Sequence, residues 1–260
     1  MGSQNRQGEL WGKGAKDWAS IQEATCYGGY EYALEYLNII SGKTLLDIGC
    51  GSGLFSHLAQ AEGALVTGID ACGPLIDEAK KRNSSIRFLT GEMEELPFED
   101  NVFDIVCGFN SFQYAEDYRN ALLESRRVLK KGGMLVLMIW GNKEDCEAVS
   151  YLNAIGSLLP PSITVAPGPF ALSENRMLEN SLEETGFKIL DNTDVQSNWD
   201  YQNSDVALKG LISTGPVARA IENIGYDKVF ETISAAIQPY IYKNGRVVFK
   251  NKFRVIISKK

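Results

Sequence analysis

The sequence predicts a doubly wound α/β fold: a mostly parallel sheet with helices on both faces and a helical cap. Three observations carry this. Short apolar runs of strand length alternate with stretches of helical spacing. The first run ends in a glycine-rich turn that opens a helix. A long helical stretch then separates the last two strand-like runs.

The elements follow in order. An aromatic-rich segment, Leu10 to Ile40, comes first. TLLDIG reads as a buried strand, followed by helical spacing at Leu54, Leu58 and Ala61. ALVTGID is the second strand, with a helix from about Pro74 to Arg82. IRFLTG and VFDIVCGFN are the third and fourth, a helix covers Tyr118 to Leu129, and GGMLVLMIW is the fifth. Right-handed crossovers put the C-terminal strand ends on one edge, where ligands bind. A helix near Glu144 to Leu158 leads into LLPPSITVAPGPFALS, whose prolines force an irregular loop. Ser173 is expected to cap a helix that stops at Gly186. Phe187 to Asp191 resumes a strand, Asn203 to Ile237 is helical, and RVVFKNKFRVIISKK alternates as a late strand.

Composition removes several function classes. The 260 residues are 44% hydrophobic, enough for one large core with a small cap and too many for a disordered chain. The longest apolar run, MLVLMIW, is far short of the roughly 18 to 20 residues that a bilayer span needs. MGSQNRQGEL has neither a basic nor an apolar leader region, so no signal peptide is expected. Cys26, Cys50, Cys72, Cys107 and Cys146 are dispersed, as free thiols in a reducing compartment would be, and a cytoplasmic location is expected. A single histidine, His57, argues against a Cys/His zinc site and a Ser-His-Asp hydrolase. No clustered Asp/Asn set suggests a metal. The net charge of −7 disfavours a nucleic-acid surface, and KKR (Lys80 to Arg82) and RRVLKK (Arg126 to Lys131) read as solvated faces.

The chemistry concentrates in TLLDIGCGSGLFSHLA. Gly49, Gly51 and Gly53 follow a strand and open a helix, where side chains would collide with a ligand lying on the backbone. The spacing is GxGxG, with Leu54 where a dinucleotide fingerprint has its third glycine. Asp47 suits a cationic amino-acid ligand better than a pyrophosphate. Asp70, ending the second strand, can accept both hydroxyls of a ribose, or can serve as a helix cap before Pro74.

These residues resemble the class I S-adenosylmethionine-dependent methyltransferases, most closely the small-molecule, quinone-biosynthesis-like (type 11) branch. DIGCGSG matches the first family motif and Asp70 the ribose-binding acid. GEMEELPFEDNVFD resembles the adenine-side segment, with Glu92 where the family mostly has Asp. FDIVCGFNSFQY and RVLKKGGMLVL resemble the fourth- and fifth-strand motifs. The resemblance covers about Thr44 to Trp140 strongly. It implies a Rossmann-like sheet of seven strands, with the C-terminal strand antiparallel and inserted beside its neighbour. It also implies S-adenosylmethionine as cofactor, S-adenosylhomocysteine as product and a small-molecule acceptor.

The implied donor site comprises Asp47, Gly49, Cys50, Gly51, Gly53, Asp70, Ala71, Glu92, Met93, Glu94, Phe109 and Asn110, with Trp11 and Trp18 above it. The alternatives are that Glu92 and Glu94 are solvated loop charges, Met93 a core residue and Asn110 a loop hydrogen-bonder. Residues 1–40 are read as a lid with a glycine-rich hinge, or as a helix packed on the sheet. Residues 41–260 form the methyltransferase domain, with cap insertions at about 142–172 and 198–245. Tyr27, Tyr30, Phe112, Gln113, Trp140, Phe170 and Trp199 are acceptor-pocket candidates by location, or simply packing. Glu23, Tyr27, Tyr30 or a cap residue are candidate bases, or none is needed, and no catalytic residue is assigned.

Three rivals remain. A nicotinamide-dependent oxidoreductase has the wrong glycine spacing here, and no Tyr-x-x-x-Lys occurs. A non-catalytic nucleoside-binding module conflicts with an intact donor site and a substantial cap. Protein methylation calls for a wide open cleft. Base-flipping enzymes would need an NPPY-like turn or a Pro-Cys where GFNSFQY stands.

Overall fold

A computed structural model describes residues 2–39, 41–160 and 168–260. Among the described residues three α-helices precede the sheet: α1 (Gln4–Gly12), the short α2 (Ala15–Asp17) and α3 (Tyr27–Leu37). Then come β1 (Thr44–Ile48), α4 (Leu54–Ala61), β2 (Leu65–Asp70), α5 (Gly73–Arg82), β3 (Arg87–Thr90), β4 (Phe103–Phe109), α6 (Tyr118–Val128) and β5 (Leu129–Trp140). The second half adds α7 (Val149–Gly156), α8 (Met177–Glu184), β6 (Lys188–Gln196), β7 (Trp199–Tyr201), α9 (Ser204–Ile212), α10 (Gly215–Ile224), α11 (Tyr226–Ile237), β8 (Val247–Phe249) and β9 (Lys252–Lys259).

The sheet runs β3-β2-β1-β4-β5-β9-β6, and β9 is antiparallel to both neighbours. This is the seven-stranded order implied above, with the last strand inserted. Chain direction across the sheet reverses between β1 and β4, so a crevice opens beyond their C-terminal ends. Side chains alternate between two cores. Leu45, Ile105, Val136 and Val255 face α3, α4 and the cap; Leu46, Val106, Leu135 and Ile256 face α6 and α8.

Several expectations are corrected. RVVFKNKFRVIISKK is two strands: β8 pairs with β7 in a separate two-stranded sheet, and only β9 joins the main one. Asn251 separates them, buried, with its side-chain carbonyl accepting from Ala148 N at 3.0 Å. Ser173 does not cap the next helix, because its hydroxyl donates to Phe170 O at 2.8 Å. Asn175 and Arg176 then take left-handed angles, and the α-helix begins only at Met177. Gly186 does follow the helix with φ +85°, as a C′ glycine should. Arg82, read as part of a solvated basic face, is instead turned inward to an ion pair with Glu23. Part of LLPPSITVAPGPFALS, residues 161–167, lies outside the described residues.

The glycine-rich hinge is also absent: Gly28 and Gly29 sit inside α3. They serve close packing, since a Cβ on Gly28 would fall 2.1 Å from the backbone carbonyl oxygen of Gln196. Gly28→Ala is therefore expected to destabilise the fold by about 1–3 kcal/mol through overpacking against backbone. Urea denaturation measures it, and a neutral result would mean that α3 can shift freely.

Candidate donor-binding site

The crevice lies over β1, β2 and β4 and is closed from above by α1 and the residues after it. Its floor is the turn after β1. Gly49, Gly51 and Gly53 all have left-handed angles, with φ of +70°, +54° and +76°. A Cβ on Gly49 would strike Ser111 at 2.3 Å, whereas Gly51 faces into the crevice. Gly53 does not line it; it packs against Phe88 where α4 begins. Cys50 and Ala71 do line it.

Asp70 ties the floor together. One carboxylate oxygen accepts from Gly51 N and the other from Cys72 N, each at 2.8 Å. Burial raises its pKa to about 6, against the pull of those two bonds. Each oxygen keeps a further lone pair, so the group can still receive a vicinal diol. The ribose reading is compatible with these bonds; the helix-cap reading is not, since Cys72 is the N-cap of α5 and no side chain caps that helix.

Asp47 is elsewhere. It shares the Leu45 face of β1, behind the turn, and accepts from the Ser56 hydroxyl of α4 at 2.6 Å. It is buried, absent from the crevice wall, and its pKa is pushed up to about 7 by desolvation. Glu94 is also outside the crevice, accepting from Glu116 N at 2.7 Å and Asp117 N at 3.0 Å just before α6. Glu92 does line the crevice, but its carboxylate accepts from Gln4 N at 2.8 Å, holding the N-terminus of α1. Met93 and Phe109 form wall beside it.

Asn110 ends β4 with φ +50°; its amide NH₂ faces the Cys26 sulfur at 3.6 Å and its Oδ1 is buried without a partner. Trp18 Nε1 is likewise buried and unpartnered. Trp11 stands edge-on to Trp18 (4.8 Å between centroids) and to Tyr114 (5.4 Å), making an aromatic roof.

Of the acceptor candidates, only Tyr30 reaches the crevice, edge-on to Phe109 at 4.9 Å. Tyr27 is 41% exposed. Phe112 is core, tucked against Gly108, and Gln113 lies outside the crevice wall. Phe170, Trp199 and Phe253 each pack on Trp140 in a buried aromatic cluster, with 4.8–5.4 Å between centroids. These residues are part of the core and lie outside the crevice wall.

Among the described residues, none of the candidate bases stands free in the crevice. Glu23 is ion-paired to Arg82, and burial raises the pKa of its carboxyl. Desolvation pushes the Tyr30 hydroxyl well above its ordinary value and the Cys26 thiol up to about 11. His57 is on the exposed face of α4, against Asn83.

The sequence reading missed Ser3, Gln7, Ser111 and Tyr114 as lining residues. Ser3, Gln7 and Trp11 recur every four residues, a helical stripe that the sequence did contain.

The Asp47 environment has a measurable consequence. Its folded-state pKa of about 7 lies above the ordinary 3.8, so it contributes a loss of stability as pH rises between these values. Asp47→Asn should flatten that slope and gain on the order of a few kcal/mol at alkaline pH. Urea melts across this range check it, and an unchanged slope contradicts it.

Comparison with known proteins agrees with this architecture. Residues 46–137 match the family model described as a methyltransferase domain. The malonyl-[acyl-carrier protein] O-methyltransferase of Buchnera aphidicola is 33% identical over 128 residues, covering 49% of this chain and 51% of that protein. The demethylmenaquinone methyltransferase of Staphylococcus aureus is 37% identical over 108 residues, covering 39% and 45%. The chain thus spans about half the length, or less, of these curated relatives. The YcgJ protein of Bacillus subtilis shares the fold, with a TM-score of 0.59 at 21% identity over 90% of this chain and 98% of that one. With these matches on a doubly wound sheet and a GxGxG turn, residues 46–137 are identified as a methyltransferase domain similar to those of the class I S-adenosylmethionine-dependent, type 11 branch.

Proposed function

We propose that the protein binds S-adenosylmethionine in the crevice beneath α1. It transfers the methyl group to an O, N or C nucleophile on a small, partly apolar molecule and releases S-adenosylhomocysteine. The observation that carries this reading is the Asp70 carboxylate, bonded to the open backbone of Gly51 at the switch point of the sheet. A nucleoside diol can be held there while the rest of the ligand lies over the glycine turn. Two orphaned buried polar atoms on the same crevice, Asn110 Oδ1 and Trp18 Nε1, support a polar occupant.

The donor, when bound, supplies an electrophilic methyl on a cationic sulfur. The chain's own part is positioning. Asp70 holds the ribose, Met93 and the Glu92 backbone flank the adenine, and Asn110 faces the transferring group. Tyr30, Trp11 and Trp18 exclude water and offer aromatic faces to a cation. With Glu23 ion-paired and Tyr30 and Cys26 held protonated, these residues orient an acceptor and do not deprotonate it. An acceptor that arrives ionised, or loses its proton to water, fits such a site.

The segment 1–40 serves in this reading as a cover over the domain 41–260. α1 is held by Glu92, by the packing of Leu10, Gly8 and Gly12, and by surface ion pairs of Arg6 and Lys13 with Glu222, which are weak in water. A nucleic-acid partner is not part of the proposal, in line with the net charge of −7. Among the described residues no helix is long and apolar enough to cross a membrane, and all five cysteines are free thiols; both accord with a cytoplasmic setting.

Calorimetric titration with S-adenosylhomocysteine and, separately, NADH tests the cofactor. Binding of the first alone is expected, weakened by about tenfold or more in Asp70→Ala. Affinity should also fall as pH drops through about 6, where Asp70 takes a proton, and Asp70→Asn should lose that dependence. Binding of NADH alone, or of neither ligand, overturns the proposal. Turnover of S-adenosylmethionine with a cell extract separates an enzyme from a binding module.

A further inference from the structure

The donor ends in an amino acid, whose ammonium needs a hydrogen-bond acceptor and whose carboxylate needs a donor. Asp47, the carboxylate that the motif offers, faces α4 behind the turn and reaches neither. The opposite wall supplies both. A Cβ placed on Gly51 would lie 3.2 Å from Glu23 Oε1 and 3.3 Å from Trp18 Nε1, with no other neighbour within 4 Å. An acceptor and a donor therefore flank the same gap above the turn.

Their remaining capacity matches. Glu23 is 2% exposed, and its Oε2 accepts from Arg82 Nη1 and from the Ser52 hydroxyl, each at 2.5 Å. Its Oε1 has only Leu54 N at 3.4 Å, a long bond that leaves it able to take a stronger partner. Trp18 Nε1 is buried with no partner among the described residues. Both residues come from an irregular stretch, a π-helical turn at Trp18–Gln22 followed by a 3₁₀ turn at Glu23–Cys26. Arg82 clamps that stretch to the floor by donating also to Ser52 O at 2.5 Å and Ala19 O at 3.0 Å.

We infer that Glu23 and Trp18 form the subsite for the zwitterionic amino-acid end of the donor. Glu23 Oε1 accepts from the ammonium and Trp18 Nε1 donates to the carboxylate. Arg82 is a positioning residue, and its charge offsets that of Glu23, so the subsite suits a zwitterion better than a bare cation. The inference rests on the donor reading given above and adds residues that lie outside the glycine motif.

The test compares two ligands that share the nucleoside and sulfur and differ at this end. S-adenosylhomocysteine carries the amino acid; 5′-methylthioadenosine lacks it. Wild type, Glu23→Gln and Trp18→Phe are titrated with each. Both variants should lose about 10- to 100-fold in affinity for S-adenosylhomocysteine and stay within about threefold of wild type for methylthioadenosine. Trp18→Phe keeps the Glu23–Arg82 pair, so it decides the matter even if Glu23→Gln fails to fold. Equal losses for both ligands, or no loss for S-adenosylhomocysteine, overturn the subsite alone. Wild type binding neither ligand overturns the donor reading with it.

Discussion

At the C-terminal end of β2 a recessed carboxylate joins the two sides of the crevice. Asp70 accepts from Gly51 N on the turn after β1 and from Cys72 N at the entry to α5. Desolvation makes such a group costly to ionise, and the two backbone donors offset part of that cost. The geometry of the rest follows. Gly51 is held with its backbone open to the crevice, α5 is set beside it, and Arg82 at the end of α5 reaches back to Ser52 and Glu23. Remove the carboxylate and the turn, the helix entry and the clamp lose their common reference.

The N-terminal segment is held to the domain by polar and apolar contacts in turn. Residues 18–28 are anchored in the interior: Tyr201 donates to Gln22 Oε1 at 2.8 Å, Ser197 to Thr25 O at 2.7 Å, and Arg82 to Glu23. α1 adds apolar packing to the carboxylate contact from Glu92 and the surface ion pairs: Leu10 is buried, Gly8 and Gly12 lie against Ala71, Cys72 and Pro74, and Trp11 lies against Gly215. The polar atoms that face the proposed amino-acid end are thus held from several sides, as a pre-organised subsite requires.

Much of the architecture was legible in the sequence because it depends on local periodicity. The first five strands and their helices follow from apolar alternation, the inserted place of the C-terminal strand from the family resemblance, the glycine turn from steric need at a strand end, and Asp70 from its place at the end of the second strand. What failed depended on long-range geometry. The face of β1 on which Asp47 lies could have been read from its two-residue spacing to Leu45, but the motif suggested otherwise. Trp140, Phe170 and Trp199 show that aromatic composition near a strand end cannot separate a pocket wall from a core. The Glu23–Arg82 pair spans 59 residues and left no local signal. Gly28 and Gly29 looked like a hinge because close helix packing and flexibility call for the same residue.

In the proposed complex one adenosyl ligand lies along this crevice from Asp70 to Gly51. A crystal structure of the protein with S-adenosylhomocysteine is the direct test. The ribose hydroxyls are expected within hydrogen-bond distance of the Asp70 carboxylate, and the amino-acid end between Gly51, Glu23 and Trp18. A ligand bound elsewhere, or one whose ribose makes no contact with Asp70, would contradict it.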